Sequence, residues 1–358
     1  MKIGIDASRA FLSQRTGTEE YSYQLIKSLA RLNTSAHQII LYAKKGARPD
    51  FPLPRNFSLR EIGGDFLWTQ ISLSKEIFRE KPDILFIPSH SVPLIHPKRT
   101  AVTIHGLECK ECPECYALKE KLLIGINSAL SIRFASKIIV PSQSTQDNLK
   151  KFYRKKAKDI KVIYHGSSRP EIFERKESDG FNILFVGRME KRKNIAGIIR
   201  GFELFARETG DREKTKLIMA GKPGFGFKEI KKIINDSEYK DRIILMGYVD
   251  EKEKIKLYNT ADVLLFPSFA EGFGFPILEA MSYGMPVITS NAGAMAEIGG
   301  AAASLVDPFD SKSIAEAINL IYGSEEKRRE MRRKGYENLK RFNWTKCAEK
   351  TLGYLTSE

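Results

Sequence analysis

Long apolar runs are missing from this chain. No stretch of its 358 residues approaches the roughly 20 apolar residues that a membrane-spanning helix requires. The opening MKIGIDAS enters a strand pattern directly, without an apolar leader segment, so the expected location is cytoplasmic. Cysteine is scarce: there are four, with Cys109, Cys112 and Cys115 together and Cys347 apart. That is too few for a disulfide-built scaffold. Thiolates at this spacing could share Zn²⁺ or an iron–sulfur cluster. A second ligand pair is lacking and His105 is the one nearby candidate for a fourth position, so the expectation is a loop of free thiols without a metal. Asp-x-Asp does not occur, which leaves a divalent cation without an obvious ligand pair. Acidic residues are few in the first half. Residues 1–176 hold 30 of the 59 Lys and Arg but only 17 of the 44 Asp and Glu, so thirteen of the fifteen net positive charges lie there. Such a surface suits a nucleic acid, an anionic membrane face or a phosphorylated substrate.

What is present is a steady alternation of short aliphatic runs and amphipathic stretches. Strands are predicted at Lys2–Ala7, Gln38–Ala43, Ile84–Pro88, Ala101–His105, Lys137–Val140 and Lys161–Tyr164. Helices fit roughly 18–32, 68–80, 117–134 and 143–153. The second half repeats the pattern, with strands at Asn182–Val186, Lys216–Ala220, Ile243–Leu245, Val263–Phe266, Val287–Thr289 and Ser304–Val306. The fold class is therefore α/β: two Rossmann-like, doubly wound parallel-sheet domains facing a cleft. The boundaries are 1–168 for the first domain, 178–341 for the second and 342–358 for a terminal amphipathic helix. Polar Gly166–Gly180 reads as the linker.

The densest information lies between Ala261 and Ser290. Val263–Phe266 is a strand of the fully buried kind. A turn with Gly272 and Gly274 follows, and Pro276 fits the first position of a helix. A helix start beyond the carboxyl end of a parallel strand presents N–H groups to an anion. Two further loops after strands add to it: Phe185–Asn194, with Gly187, Arg188 and Lys193, and Gly221–Gly226. Cations, glycines and a helix start around one point suit a diphosphate. Glu279, one turn into the helix, can accept two hydrogen bonds from a ribose diol. Glu271 would reach another part of the same ligand. Diphosphate, ribose and a hydroxyl-rich group together describe a nucleotide sugar.

These residues carry a resemblance. FVGRMEKRKN, LYNTADVLLFPS, EGFGFPILEAM and GMPVITS, in this order and spacing, resemble the donor-binding domain of retaining family 4 glycosyltransferases with the GT-B fold. The two glutamates of EGFGFPILE match that family's Glu-x7-Glu motif. The first half resembles the acceptor side through IDAS with Arg9, the Gly17 loop and TIHGLE at 103–108. It departs at Thr18, Glu19 and Glu20, where many members carry a second glycine and an arginine, and at Gly106, where many have Asp; both departures bear on the acceptor.

The resemblance implies hexose transfer, of mannose or glucose type, with retention of configuration. The donor would be a nucleotide diphosphate sugar, the acceptor a glycan or lipid-linked glycan of cell-surface polysaccharide assembly, and no cofactor or metal is implied. It implies that Arg188 and Lys193 neutralise the leaving diphosphate and that Glu279 holds the ribose. Glu271 with the N–H groups of Phe273 and Gly274, beside Gly187 and Gly272, would hold the sugar and distal phosphate. His105 would lie near the sugar, with Gly17 supporting a close backbone approach. The basic run Lys150–Lys161, with seven Lys or Arg around Phe152 and Tyr153, would suit peripheral contact with anionic lipid. Rival readings are a GT-B phosphorylase or epimerase and a nucleic-acid-binding protein. Against the last, no nucleic-acid module is recognisable, and stacking aromatics are not interleaved with the basic residues beyond Phe152 and Tyr153, so no nucleic acid is expected as a partner.

Overall fold

The computed structural model describes residues 1–64, 66–89, 91–154, 160–167, 180–209 and 215–357. Its strands are β1 (Lys2–Asp6), β2 (Gln38–Lys44), β3 (Phe57–Ile62), β4 (Ile84–Ile87), β5 (Thr100–Thr103), β6 (Lys137–Val140), β7 (Ile160–Val162), β8 (Phe181–Val186), β9 (Thr215–Ala220), β10 (Ile243–Gly247), β11 (Val263–Phe266), β12 (Val287–Ser290) and β13 (Ser304–Val306). The helices are α1 (Gly17–Leu29), α2 (Ser74–Glu80), α3 (Glu108–Glu111), α4 (Leu118–Phe134), α5 (Gln143–Tyr153), α6 (Ile195–Thr209), α7 (Phe227–Asp236), α8 (Glu251–Thr260), α9 (Phe275–Ser282), α10 (Gly293–Gly299), α11 (Ser311–Tyr322), α12 (Glu325–Leu339) and α13 (Trp344–Thr356).

The chain forms two compact units. One comprises Met1–Leu107, Lys119–Gly166 and Phe342–Glu358; the other comprises Glu108–Leu118 and Ser167–Arg341. The first holds a seven-stranded sheet ordered β3-β2-β1-β4-β5-β6-β7, the second a six-stranded sheet ordered β10-β9-β8-β11-β12-β13. Both sheets are parallel throughout. Strand order reverses between β1 and β4 in one sheet and between β8 and β11 in the other. Those reversals are where open α/β sheets leave room for ligands beyond the strands' carboxyl ends. The central strands read as unbroken aliphatic runs because helices cover both of their faces: all four residues of β4 and of β11 are buried.

Among the elements that differ from the periodicity reading are β3 and the helix over 68–80. β3 is an edge strand, half-solvated and carrying Arg60 and Glu61, so its apolar signal is too short to stand out. The predicted helix over 68–80 is split. Residues Thr69–Leu73 form a wide turn in which the Leu73 N–H donates to the Trp68 carbonyl at 2.9 Å, and α2 follows. Residues 168–179 of the predicted linker lie outside the described residues, as do residues 155–159 of the basic run.

In the first unit α13 packs on α1. Lys137 Nζ donates to the Tyr354 carbonyl at 2.8 Å and Arg99 Nη2 to the Ser357 carbonyl at 2.7 Å. Two cations thus satisfy carbonyls that a helix end leaves open. In the second unit, helix starts are capped by Asp250, which accepts from the Glu253 N–H at 2.8 Å, and by Ser324, which accepts from Lys327 at 3.1 Å.

Candidate functional site

At the reversal of the second sheet, the loops after β8, β9 and β11 meet. The β8 and β9 loops are laced through their backbones. The Met189 N–H donates to the Lys222 carbonyl and the Gly224 N–H to the Met189 carbonyl, each at 2.9 Å. Gly221 is required here: a Cβ would stand 1.8 Å from the Gly187 carbonyl oxygen. Asn194, in the left-handed region at φ 58°, ties the β8 loop to the β11 loop. Its amide donates to the carbonyls of Pro267 at 3.1 Å and Pro308 at 2.6 Å, while its Oδ1 accepts from the Gly197 N–H near the start of α6.

This lacing brings Lys193 onto Glu271: Lys193 Nζ pairs with Glu271 Oε1, and both side chains are about nine-tenths buried. Lys193 Nζ also lies 4.7 Å above the Phe266 ring. Burial pulls the Lys193 ammonium below its ordinary pKa, with the Glu271 charge acting against that pull. Burial pushes the Glu271 carboxyl up, but the charges of Arg192 and Lys193 outweigh it and hold the group below the usual carboxylate range.

Arg192 has no part in the sequence prediction beyond adding basic character. In the structure it is a buried bridge. Its Nη1 stands 2.8 Å from Glu271 Oε1 and donates to the Ala270 carbonyl at 2.9 Å, while Nη2 donates to Glu190 Oε1 at 2.6 Å. It fixes the carboxylate and the backbone of the same loop. The run of alternating charge Glu190–Arg192–Lys193 is a weak signal for this, because solvated turns carry similar runs. Arg188 differs: its side chain is mostly exposed, with Nε 3.8 Å from Glu190 Oε2.

The turn Gly272-Phe273-Gly274 leads into α9. Gly274 has φ 115° and precedes the first helical residue, and Pro276 occupies the first turn. Within this unit the Gly272 N–H donates to Glu108 Oε1 at 3.1 Å. Glu108 begins a segment whose cysteines correct the free-thiol expectation. Cys112 and Cys115 form a disulfide packed with Ala270, Tyr116 and Phe269, and Cys109 is a buried free thiol. Three residues of separation in a tight turn bring the two Cα atoms to 5.4 Å, within bonding range.

Glu279 lies one turn into α9, apart from the Lys193–Glu271 pair. It accepts from Tyr258 Oη at 2.7 Å and Lys254 Nζ at 3.1 Å, both on α8. Its side chain is about one-third exposed, so the carboxylate is aimed by two donors and still open to a ligand. Tyr258 stacks on Tyr283 at 5.5 Å. Neither Lys254 nor Tyr258 is among the residues predicted from sequence, since their meeting with Glu279 depends on helix packing.

The first unit holds the remaining predicted residues. His105 follows β5 and donates from Nε2 to the Pro88 carbonyl at 2.8 Å; a carbonyl accepts only, so this nitrogen carries the proton. Its ring lies 4.9 Å from Tyr21 and 5.4 Å from buried His165. Gly17 is the exposed first residue of α1, whose start is closed by the Thr16–Glu19 capping box. Asp6 is buried and accepts from the Ser8 N–H at 2.9 Å, organising the end of β1.

The chain matches two family models and several known proteins. The family model described as "Glycosyl transferases group 1" matches residues 168–338, and "Glycosyltransferase Family 4" matches residues 15–167. The chain is 34% identical over 169 residues to O-antigen chain mannosyltransferase B of Escherichia coli, covering 47% of this chain and 44% of that protein. It is 26% identical over 232 residues to the O-antigen chain mannosyltransferase RfbU of Salmonella typhimurium, covering 65% and 63%. The matched stretches therefore span about half to under two-thirds of those relatives. Among solved structures, sucrose-phosphate synthase from Thermosynechococcus elongatus superimposes with a TM-score of 0.77 at 19% identity, over 99% of this chain and 98% of that one.

Proposed function

The chain belongs to the family 4 glycosyltransferases of the GT-B fold, and from that premise we propose that it transfers a mannose-type hexose from a nucleotide diphosphate sugar to a glycan or lipid-linked glycan, with retention and without a metal. The observation that carries this is the meeting of Lys193, Arg192 and Glu271 beside the start of α9 at the β8/β11 reversal. The mannose assignment is drawn from the names of the two O-antigen relatives.

Breaking a glycosyl–phosphate bond collects negative charge on the departing phosphate oxygens. Lys193 and Arg188 supply counter-charge, and the first-turn N–H groups of α9 add partial positive charge. Lys193 is held by burial and by Glu271, so little reorganisation accompanies the charge build-up. Glu271 and the Gly272–Gly274 turn face the sugar hydroxyls and distal phosphate. Glu279, aimed by Tyr258 and Lys254, receives the ribose diol. In the first unit His105 is oriented through the Pro88 carbonyl.

Lys193→Ala and Glu271→Gln should each lower transfer by about 10²–10³, as loss of one pre-placed electrostatic partner does. Glu279→Gln should chiefly weaken nucleotide binding in calorimetry. Circular dichroism separates these effects from unfolding. Full transfer activity in all three variants would refute the site.

A peripheral contact with an anionic membrane face extends the proposal. Besides the basic run, α4 carries exposed Leu122, Leu123, Ile126, Leu130 and Phe134, interspersed with Lys119, Lys121 and Arg133. An apolar face ringed by cations in a strongly basic half suits a headgroup–acyl boundary.

A further inference from the structure

The second unit includes Glu108–Leu118, a segment whose residues take no part in the proposed transfer. Its sequence ECKECPEC sets α3 beside the three-residue turn Pro113–Cys115. A helix of four residues is marginal in water by itself, so α3 needs a tie. The Cys112–Cys115 disulfide supplies one. The Cys112 N–H donates to the Glu108 carbonyl at 2.8 Å and the Cys115 N–H to the Cys112 carbonyl at 3.0 Å, so the covalent bond closes the turn that begins at Glu108. The joined cysteines pack with Tyr116 and with Phe269 and Ala270 of the loop after β11. Two residues further along that loop, the Gly272 N–H donates to Glu108 Oε1.

The electrostatics of this contact oppose an anion. Burial lowers the pKa of the Arg192 guanidinium, but the neighbouring Glu271, Glu108, Tyr116 and Glu190 raise it well above the ordinary range. Glu108, Glu190 and Glu271 thus stand around Arg192 and Lys193, three carboxylates against two buried cations among the described residues, with Arg188 mostly exposed. Without Glu108 the buried charges balance. A diphosphate at the turn before α9 then meets one negative charge fewer.

We propose that the Cys112–Cys115 disulfide is a redox latch on the donor loop: joined, it holds the Glu108 carboxylate at Gly272 and weakens binding of a nucleotide diphosphate; reduced, it lets Glu108 withdraw and binding strengthens. The donor role of the loop rests on the function proposed above, while the latch rests on the segment itself. The reductant is a dithiol. One of its thiolates attacks a sulfur of the pair to form a mixed disulfide, and its second thiolate displaces the remaining cysteine. The Cys112–Cys115 bond breaks, a disulfide forms in the reductant, and two electrons and two protons pass to the cysteines. Both cysteines are buried, but Pro113 and Glu114 between them are exposed, so opening of this short turn admits the reductant.

The test uses the full chain, oxidised with diamide or reduced with dithiothreitol. A chelator is present, because Cys112, Glu114 and Cys115 lie close enough to take up a metal. Differential alkylation with mass spectrometry should find Cys112 and Cys115 joined in the oxidised protein and both alkylated in the reduced one. Hydrogen exchange at the Gly272 amide should quicken on reduction. In calorimetry, whichever of GDP and UDP binds should bind the reduced protein about fivefold or more tightly than the oxidised one, as coupled sites typically do. Glu108→Gln keeps an oxygen for the Gly272 N–H without the charge, and when oxidised it should bind nucleotide as the reduced parent does. Cys112→Ser with Cys115→Ser should bind at that level with or without oxidant, circular dichroism confirming the fold of each variant. A disulfide through Cys109 instead, thiols that diamide leaves open, or a folded Glu108→Gln variant that keeps the parent's redox response would overturn the latch. Nucleotide bound with equal affinity in both redox states defeats the latch and spares the donor site. Faster Gly272 exchange on reduction, with neither nucleotide bound in either state, defeats the donor reading and spares the latch.

Discussion

At the residue scale the site turns on a buried carboxylate kept ionised by two cations. Glu271 would be costly to bury alone; Arg192 and Lys193 make the charged form the stable one. Its folded pKa lies below the ordinary value of 4.5, so the unfolded chain takes up a proton first as pH falls. This contribution to stability is complete above that ordinary value and drains away as pH drops through the lower folded one. Glu271→Gln should therefore show a flatter loss of stability than the parent as pH falls below the ordinary carboxylate value of 4.5, measured by denaturant melts. Parallel acid profiles for the two proteins would show that Glu271 does not carry this dependence. Of the predicted residues, Lys193 and Glu271 were legible because loop cations and carboxylates beside a Gly-rich turn form a local pattern. Arg192 stands next to Lys193 in sequence, yet its bridging role follows from burial against Ala270 and Glu190, which no spacing reveals.

At the scale of elements, the start of α9 is set by its backbone. Gly274 sits at φ 115°, which side-chain-bearing residues rarely adopt, and a Cβ there would meet Met295 Cε at 2.7 Å. The methionine can yield but the dihedral cannot. Gly274→Ala should cost about 1–3 kcal/mol. For a unit of this size that lowers the melting temperature by about 2–4 °C per kcal/mol, and nucleotide affinity should fall with it because the first turn of α9 shifts. An unaltered melting curve would mean the turn tolerates another conformation. The strand–turn–helix order here was readable from Val263–Phe266, the glycines and Pro276. β3 was not, because an edge strand carries little apolar pattern, and neither was α10, whose small residues Gly293, Ala294 and Ala296 give no amphipathic period.

At the scale of the whole molecule, no helix among the described residues is long and apolar enough to cross a membrane. The exposed leucines of α4 and the basic first half predict cosedimentation with phosphatidylglycerol vesicles, weakened by salt. Leu122→Ser combined with Ile126→Ser should reduce it even at low salt. Equal binding to phosphatidylcholine, or no effect of the double substitution, would count against this surface. The sequence by itself determined two doubly wound sheets and the loops that follow their strands, because strand burial and turn geometry are written in short-range patterns of side-chain type. Tertiary structure alone decided that Arg192 would brace Glu271, that Tyr258 and Lys254 would aim Glu279, and that Cys112 and Cys115 would join. Those pairings depend on how distant segments pack, and packing is a property of the folded chain's full set of contacts.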